Sequence, residues 1–232
     1  MKKNSSQEIL YQVIDAVSSL GIKELLTKID QIVVKLTSAD STGIYTLDEN
    51  SNSVVLRASK LHFAIVDKLK MKLGEGITGS VAQYGETIVI EKHAYKDQRF
   101  ARVSDLPDDL FESFLSVPIK NNNIIVGVIN IKHKKSHKYS KKIITLLETI
   151  GKLVGQVVQH AALLDKSKNL EEALETQKVV NKAKGILMEK LKLNENYAYH
   201  RIRKQAMHEG KSMKVIAEAI ITNEKLIQFD KE

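Results

Sequence analysis

Apolar side chains recur at helical spacing through residues 7–36, at Ile9, Val13 and Val17 and then at Leu25, Ile29, Val33 and Leu36, with a break at Leu20-Gly21-Ile22. Two helices are predicted there. The period then falls to two. "STGIYTLDENSNSVVLRAS" holds two β-rich runs around the polar turn "DENSNS", the pattern of an antiparallel hairpin. In "LGEGITGSVAQYGETIVIEK", glycines at 74, 76, 79 and 85 surround a short helical piece and a strand from Thr87 to Ile90. After a loop and a helix expected around Leu106 to Phe111, "FLSVPIKNNNIIVGVINIKH" predicts two more strands joined through Asn121 to Asn123. The first 135 residues therefore read as an α+β domain, an antiparallel sheet with flanking helices.

From Ser140 to about Lys192 the pattern becomes one long helix without proline, whose interior glycines are Gly151, Gly155 and Gly185. Ile143, Leu147, Ile150, Val154, Val157, Ala161 and Leu164 alternate steps of four and three, the seam of a coiled coil. The seam then slips by one residue and continues through Leu163, Leu170 and Leu174. Between Ile143 and Val158 the stripe suits equally a face packed on the sheet or a self-pairing helix. Beyond Ala161 no sheet is left to cover, so parallel dimerisation is expected, and the slip at Leu163 and Leu164 is the candidate two-state element. A small all-α unit follows. Val180, Ala183, Leu187 and Leu191 line one face of its first helix, Ala198, Ile202 and Ala206 one face of its second, and Val215, Ile216, Ala219 and Ile220 a third. Asn194 is placed to cap the second helix and Gly210 to end it, while small Ala183 and Gly185 would let another helix approach.

Composition narrows the classes. With 232 residues, 43% of them hydrophobic, the chain can bury one sizeable core and a second small one. It contains no cysteine, which excludes disulfides, thiolate metal sites, cysteine nucleophiles and thioether-linked chromophores, and fits a reducing compartment. The N-terminal stretch lacks an unbroken apolar signal region, and no segment approaches the roughly eighteen apolar residues that span a bilayer. A cytoplasmic protein without membrane contact is expected.

The net charge is +8, which suits an acidic partner or simply solubility, so its position decides. From Thr176 to Lys214 there are ten Lys or Arg (Lys178, Lys182, Lys184, Lys190, Lys192, Arg201, Arg203, Lys204, Lys211, Lys214) against three acids, a local net of +7. Phosphate neutralisation by such a platform supplies most non-specific affinity for nucleic acid. Tyr199 offers a stacking surface for an unpaired base, which RNA loops expose and duplex DNA does not. Charge alone does not choose between the two.

Other chemistry finds little footing. "GEGITG" matches a dinucleotide string, but no Gly-Lys-Ser/Thr ending exists and the run follows "DKLKMKL" in an antiparallel context, so the glycines are read as serving tight turns. His133 and His137 stand four apart within "KHKKSHKYSKK", which holds six lysines and no carboxylate in eleven residues. That stretch reads as a solvated basic loop, with a lesser reading as a holder of nucleic acid or a regulatory anion, and no metal is expected. No serine or carboxylate lies in a catalytic elbow or pair, so neither catalysis nor a cofactor is expected.

Two family resemblances sharpen this picture. "MKLGEGITGSVAQYGETIVIEKHAYKDQRF" followed by "SFLSVPIKNNNIIVGVINIKH" resembles the GAF family of small-molecule sensor domains over about residues 5–160. The resemblance implies a central antiparallel sheet, flanking helices that form a dimer interface, and a pocket bordered by "KDQRF", so that Asp97, Arg99 and Phe100 are candidates for lining it; a structural loop capped by Asp97 is the alternative. "AKGILMEKLKLNENYAYHRIRKQAMHEGKSMKVIAEAII", Ala183 to Ile221, closely resembles the ANTAR family, the RNA-binding output domain of bacterial transcription antiterminators. Ala183, Lys184, Gly185, Met188, Ala198, Tyr199, Arg203, Ala206 and Met207 fall on matching positions, the apolar ones assigned to the core and the polar ones to RNA. Where the family usually carries an arginine, six residues before the alanine of "AKG", this chain has Gln177 with Lys178 beside it.

The resulting expectation is a GAF-like sensor domain over residues 1–160, a coiled-coil linker over 161–177, and an ANTAR-like three-helix RNA-binding domain over 178–232. Such a protein would be a signal-responsive antiterminator: it would bind paired leader stem-loops as a homodimer, prevent terminator formation and so act indirectly on transcribing RNA polymerase. The GAF resemblance leaves two readings of one sheet face, a site for a small-molecule ligand or a structural core. Lys178, Lys182, Lys184, Tyr199, Arg201, Arg203, Lys204 and Lys211 are the candidate RNA contacts. The alternatives are a DNA-binding regulator that uses the last two helices as a helix-turn-helix, and a non-catalytic protein-interaction scaffold.

Overall fold

The computed structural model describes residues 6–100 and 111–229, and its contacts divide into two compact units, 1–162 and 163–232. The first unit opens with α1 (Ser6–Ser19) and α2 (Ile22–Thr37), separated where the helical periodicity breaks. Then come the hairpin β1 (Ser41–Asp48) and β2 (Ser53–Ala58), strand β3 (Lys70–Lys72), helix α3 (Gly76–Tyr84), strand β4 (Ile88–Ile90), and the hairpin β5 (Ser113–Asn121) and β6 (Ile124–His133). The strands form one sheet in the order β3-β2-β1-β6-β5-β4, with every neighbouring pair antiparallel. Strand β3 has no counterpart in the sequence reading, because the three residues "KMK" are too short to show alternation; pairing of Met71 with Val54 places them in the sheet. The helix expected around Leu106 to Phe111 falls on residues outside those described, apart from Phe111, which is not helical.

Alternation along the central strands sends two sets of side chains to opposite faces. Leu115, Val117 and Ile119 of β5 and Ile129 and Ile131 of β6 join one core with Val13 of α1 and with Leu25, Ile29 and Val33 of α2. Helix α4 (Lys141–Leu191) begins on that same face, where Leu147, Ile150 and Val154 are completely buried. The stripe from Ile143 to Val158 is therefore a core face, which decides between the two readings of its periodicity. Gly151 and Gly155 make this close packing possible: a Cβ at Gly155 would lie 2.2 Å from the Lys120 carbonyl oxygen, and one at Gly151 would lie 2.7 Å from that of Pro118. The opposite face of the sheet is covered by α3, whose Val81 and Ala82 pack with Tyr45, Val54, Leu56 and Val128.

His133 corrects one expectation. It is not part of a solvated loop but ends β6 with its ring buried, 7% exposed, and its partner His137 lies stacked on it with centroids 4.0 Å apart.

The second unit comprises the remainder of α4, α5 (Glu195–Glu209) and α6 (Met213–Phe229). Val180 and Ala183 of α4, Ile202 and Ala206 of α5, and Ile216 and Ala217 of α6 form its core. Burying Val180, Ile202 and Ile216 contributes on the order of 1.5–3 kcal/mol each. The third helix is rotated from the expected face: Ile216 and Ala217 are buried, whereas Val215 and Ala219 are exposed. Two methionines assigned to the core also lie outside it, Met207 at 74% exposed and Met188 at 38%, because each is offset from the buried row of its helix. Leu163, Leu164, Leu170 and Leu174 on α4 are each more than half exposed.

Candidate nucleic-acid interface

The three-helix unit is fixed by local chemistry before its charges are considered. The Asn194 side chain accepts a hydrogen bond of 3.0 Å from the Tyr197 N–H, capping α5, an interaction that contributes about 1 kcal/mol. At the other end Gly210 adopts a left-handed φ of +63° and its N–H returns to the last carbonyls of the helix. Buried Ala198, Ile202 and Ala206 then fix which side of α5 faces outward.

The ten cations of this segment fall into two groups. Lys184 bonds Glu195 at 2.7 Å, Lys190 bonds Glu224 at 3.1 Å, Lys211 bonds Glu209 at 2.7 Å and Lys214 bonds Glu175 at 2.9 Å. The Lys184 and Lys211 ammonium groups hold the Glu195 and Glu209 carboxyls below the usual carboxylate range. Among the described residues, Lys178, Lys182, Lys192, Arg201, Arg203 and Lys204 have no carboxylate partner, so six charges stand ready for an external anion.

The eight sequence-derived candidates do not form one cluster. Lys184 and Tyr199 line a common recess of about 620 Å³ together with Gln177, Asn181 and Met213. Lys178 and Lys182 line a smaller one of about 330 Å³ with Glu218 and Thr222 of α6. Arg203 lies one turn from Tyr199 on α5, whereas Arg201 and Lys204 occupy the opposite stripe of that helix. Lys211 sits in the turn between α5 and α6, engaged with Glu209. The carboxamides of Gln177 and Asn181 were not singled out by charge or aromatic content. Their signal in the sequence was their spacing of four, which places both on one helical stripe.

Gly185 also departs from expectation. Ala183 is buried in the unit's core, but a Cβ added at Gly185 would meet nothing within 4 Å, so among the described residues no other helix approaches it.

In the first unit, the Asp97 carboxylate accepts hydrogen bonds from the Arg99 backbone N–H at 2.9 Å and from its guanidinium at 2.9 and 2.8 Å. The guanidinium holds the Asp97 carboxyl below its ordinary range. Phe100 packs beside Ile77, Ala94 and Phe114. On the same sheet face lies a buried polar chain: Ser116 Oγ donates to Asn130 Oδ1 at 2.7 Å, and Asn130 Nδ2 donates to Thr78 Oγ1 at 2.7 Å. It ties α3 to strands β5 and β6. The glycines of "GEGITG" serve this packing: Gly74 has φ of +80° and a Cβ at Gly79 would lie 2.2 Å from the Lys72 carbonyl oxygen. Among the described residues there is no cluster of three metal-ligating side chains and no helix long and apolar enough to cross a membrane.

Comparisons with known proteins follow this division. A family model described as GAF domain matches residues 19–159, and one described as ANTAR domain matches residues 168–221. Among curated proteins, the chain is similar to the probable 3',5'-cyclic phosphodiesterase pde-5 of Caenorhabditis elegans, 24% identical over 164 residues, which are 66% of this chain and 22% of that protein. It is also similar to the dual 3',5'-cyclic-AMP and -GMP phosphodiesterase 11A of Takifugu rubripes, 26% identical over 148 residues, 59% of this chain and 16% of that protein. The chain thus spans about a fifth of the length of these relatives. Among solved structures, the GAF domain of an Acinetobacter phosphoenolpyruvate-protein phosphotransferase matches with 28% identity and a TM-score of 0.62, covering 67% of this chain and 92% of that one. The corresponding domain from Coxiella burnetii matches at 21% identity and a TM-score of 0.65, covering 72% and 99%. Free methionine-R-sulfoxide reductase from Neisseria meningitidis shares the fold at 17% identity and a TM-score of 0.57, covering 71% and 94%.

Proposed function

Since the chain belongs to the GAF family through residues 19–159 and continues into an ANTAR domain over residues 168–221, joining a sensor domain to an RNA-binding antitermination regulator domain, we propose that it is a signal-responsive transcription antiterminator. It binds paired leader stem-loops and prevents a competing terminator hairpin from forming, so that RNA polymerase reads through. The observation that carries this reading is the set of six cations, on the unit matched by the ANTAR model, that have no carboxylate partner among the described residues. Of the sequence-derived contacts, Lys178, Lys182, Arg201, Arg203 and Lys204 supply free charge, Tyr199 supplies a ring, and Lys184 and Lys211 act from within ion pairs.

The sensor domain, which we place at residues 1–160, holds a small-molecule ligand near Asp97, Arg99 and Phe100. The linker at 161–177 pairs with a second copy through Leu163, Leu170 and Leu174, and the RNA-binding domain occupies 178–232. Two RNA sites held in one dimer raise the effective concentration of the second stem-loop. A ligand acts by binding more tightly to one of two arrangements of α4. The protein works in the cytoplasm and catalyses nothing: some relatives of this fold are enzymes, but the chain has no cysteine for thiol redox chemistry.

The test is transcription in vitro across the leader of the chain's own gene neighbourhood, with the full-length protein and its signal supplied as cell extract. Read-through of the terminator should rise with wild type and stay at the protein-free level with Lys182→Glu, Arg203→Glu. Read-through unaffected by wild type, or binding to the duplex template alone, would favour the DNA-binding alternative.

A further inference from the structure

The 620 Å³ recess of the three-helix unit has the dimensions of a small-molecule site, a class that spans about 300–1,000 Å³. Gln177, Asn181 and Lys184 reach it from α4 in steps of four and three, so they share one stripe of that helix. Tyr199, a residue 38% exposed, reaches it from α5. Among the described residues neither the Gln177 nor the Asn181 carboxamide has a hydrogen-bond partner, so each presents a free donor and a free acceptor. Lys184 is different. Its side chain is only 14% exposed and its ammonium pairs with the exposed Glu195 carboxylate at 2.7 Å.

The chemistry of the stripe changes partway along the recess, which α4 lines from Asn169 to Lys184. Toward the N-terminus of α4 the same steps of four and three carry Leu170 and Leu174, which suit a helix partner, and at Gln177 and Asn181 they turn to carboxamides. One turn past Asn181 comes Gly185, where an added Cβ would meet nothing within 4 Å. A glycine inside a helix weakens it relative to alanine, and no packing in the chain requires one here, so the bare backbone faces space left for something outside the chain. Arg203, one turn from Tyr199 and unpaired, brings positive charge to the same side.

We propose that this recess receives one unpaired base of a bound RNA loop, stacked on the Tyr199 ring and read along its hydrogen-bonding edge by the carboxamides of Gln177 and Asn181. The inference rests on the RNA-binding reading of this unit and adds to it the residues that select sequence. An aromatic face combined with carboxamide edges matches a base splayed out of a loop, whereas the bases of a duplex are paired and stacked out of reach. A carboxamide offers a donor beside an acceptor and can meet a base with two bonds, which sets the discrimination against a wrong base at about tenfold or more. Arg203 takes the phosphate of the same nucleotide. The free cations elsewhere on the unit contact phosphates and contribute affinity without choice of sequence.

The experiment uses the full-length protein and a pool of RNA hairpins with a common stem and a randomised loop, with the bound fraction sequenced. Wild type should enrich one base at one or more loop positions. The double variant Gln177→Ala, Asn181→Ala should lose about tenfold of that preference at one position and keep the others, with the salt dependence of binding unchanged. Lys182→Ala should weaken all hairpins alike and keep the preference. The proposal is overturned if the double variant selects the same loops as wild type. It is also overturned if sedimentation shows that the double variant has changed oligomeric state, which would assign the carboxamides to a second copy of the chain. If wild type itself enriches no hairpin, the RNA-binding reading fails and this inference falls with it.

Discussion

His133 sits in a buried chain of hydrogen bonds. Its Nε2 lies 3.2 Å from the Thr37 carbonyl oxygen, which can only accept, so the proton of the neutral ring is assigned to Nε2. Nδ1 then accepts from the Tyr139 hydroxyl at 3.0 Å. Burial pushes the His133 pKa below its ordinary value and the His137 ring beside it works in the same direction, while the Thr37 carbonyl and Asp40 oppose them. The other groups at this site are Glu91, which bears on Tyr139, and Tyr139 itself, whose buried hydroxyl is pushed up to about 12 and stays protonated. Between the depressed folded value and about 6.5 the unfolded chain binds more protons, so stability rises with pH through that window. Stability from this group is therefore complete above about pH 6.5 and falls as pH drops below it. Thermal melts of the full chain between about pH 5 and 8 should show this decline, and His133→Gln should flatten it; a wild-type melting temperature that is constant over the range contradicts the assignment. The sequence concealed this site because lysines surround the histidine. Strand alternation turns His133 inward while Lys132 and Lys134 on either side remain at least partly exposed.

At the scale of elements, what was legible was whatever depends on near neighbours in sequence. The break at Gly21, the two hairpins, the Asn194 cap and the Gly210 stop each rest on a few adjacent residues, and each is found where it was expected. Strand β3 and the recess between α4 and α5 were not legible, since one is three residues long and the other exists only when residues about twenty apart are brought together. Helix α4 was legible in extent but ambiguous in role, because one spacing of four and three serves both a sheet-covering face and a self-pairing seam. Burial separates them: Leu147, Ile150 and Val154 are enclosed, while Leu170 and Leu174 are 58% and 56% exposed. Exposed leucines at heptad spacing are the pattern that a second copy of the same helix would cover, and the proposed dimer uses them in that way. Leu170→Lys with Leu174→Lys should turn a dimer into a monomer in sedimentation without lowering the melting temperature of the sheet domain, whose core contains neither residue. A wild-type chain that is already monomeric, or a variant that stays dimeric, would contradict this use of the stripe.

At the scale of the whole molecule, a sensor fold and an output unit are joined in one chain, and the charge is concentrated at the output. Ten basic residues against three acids between Thr176 and Lys214 give a net +7 of the chain's +8. Among the described residues, ion pairs within the unit engage four of those ten and leave six free, so the number of phosphates neutralised should follow the free set rather than the total. On this account it is the free set that binds RNA. The most direct measurement is the affinity of the full-length protein for a hairpin from its own gene neighbourhood's leader, taken across a salt series beside the same sequence as duplex DNA and beside Arg201→Gln, Arg203→Gln, Lys204→Gln. Preference for the RNA is expected, with affinity that falls steeply as salt rises and a salt slope reduced by about two in the triple variant, near 0.7 for each phosphate no longer neutralised. Equal affinity for hairpin and duplex, or a slope untouched by removal of the three cations, would contradict RNA recognition by this set.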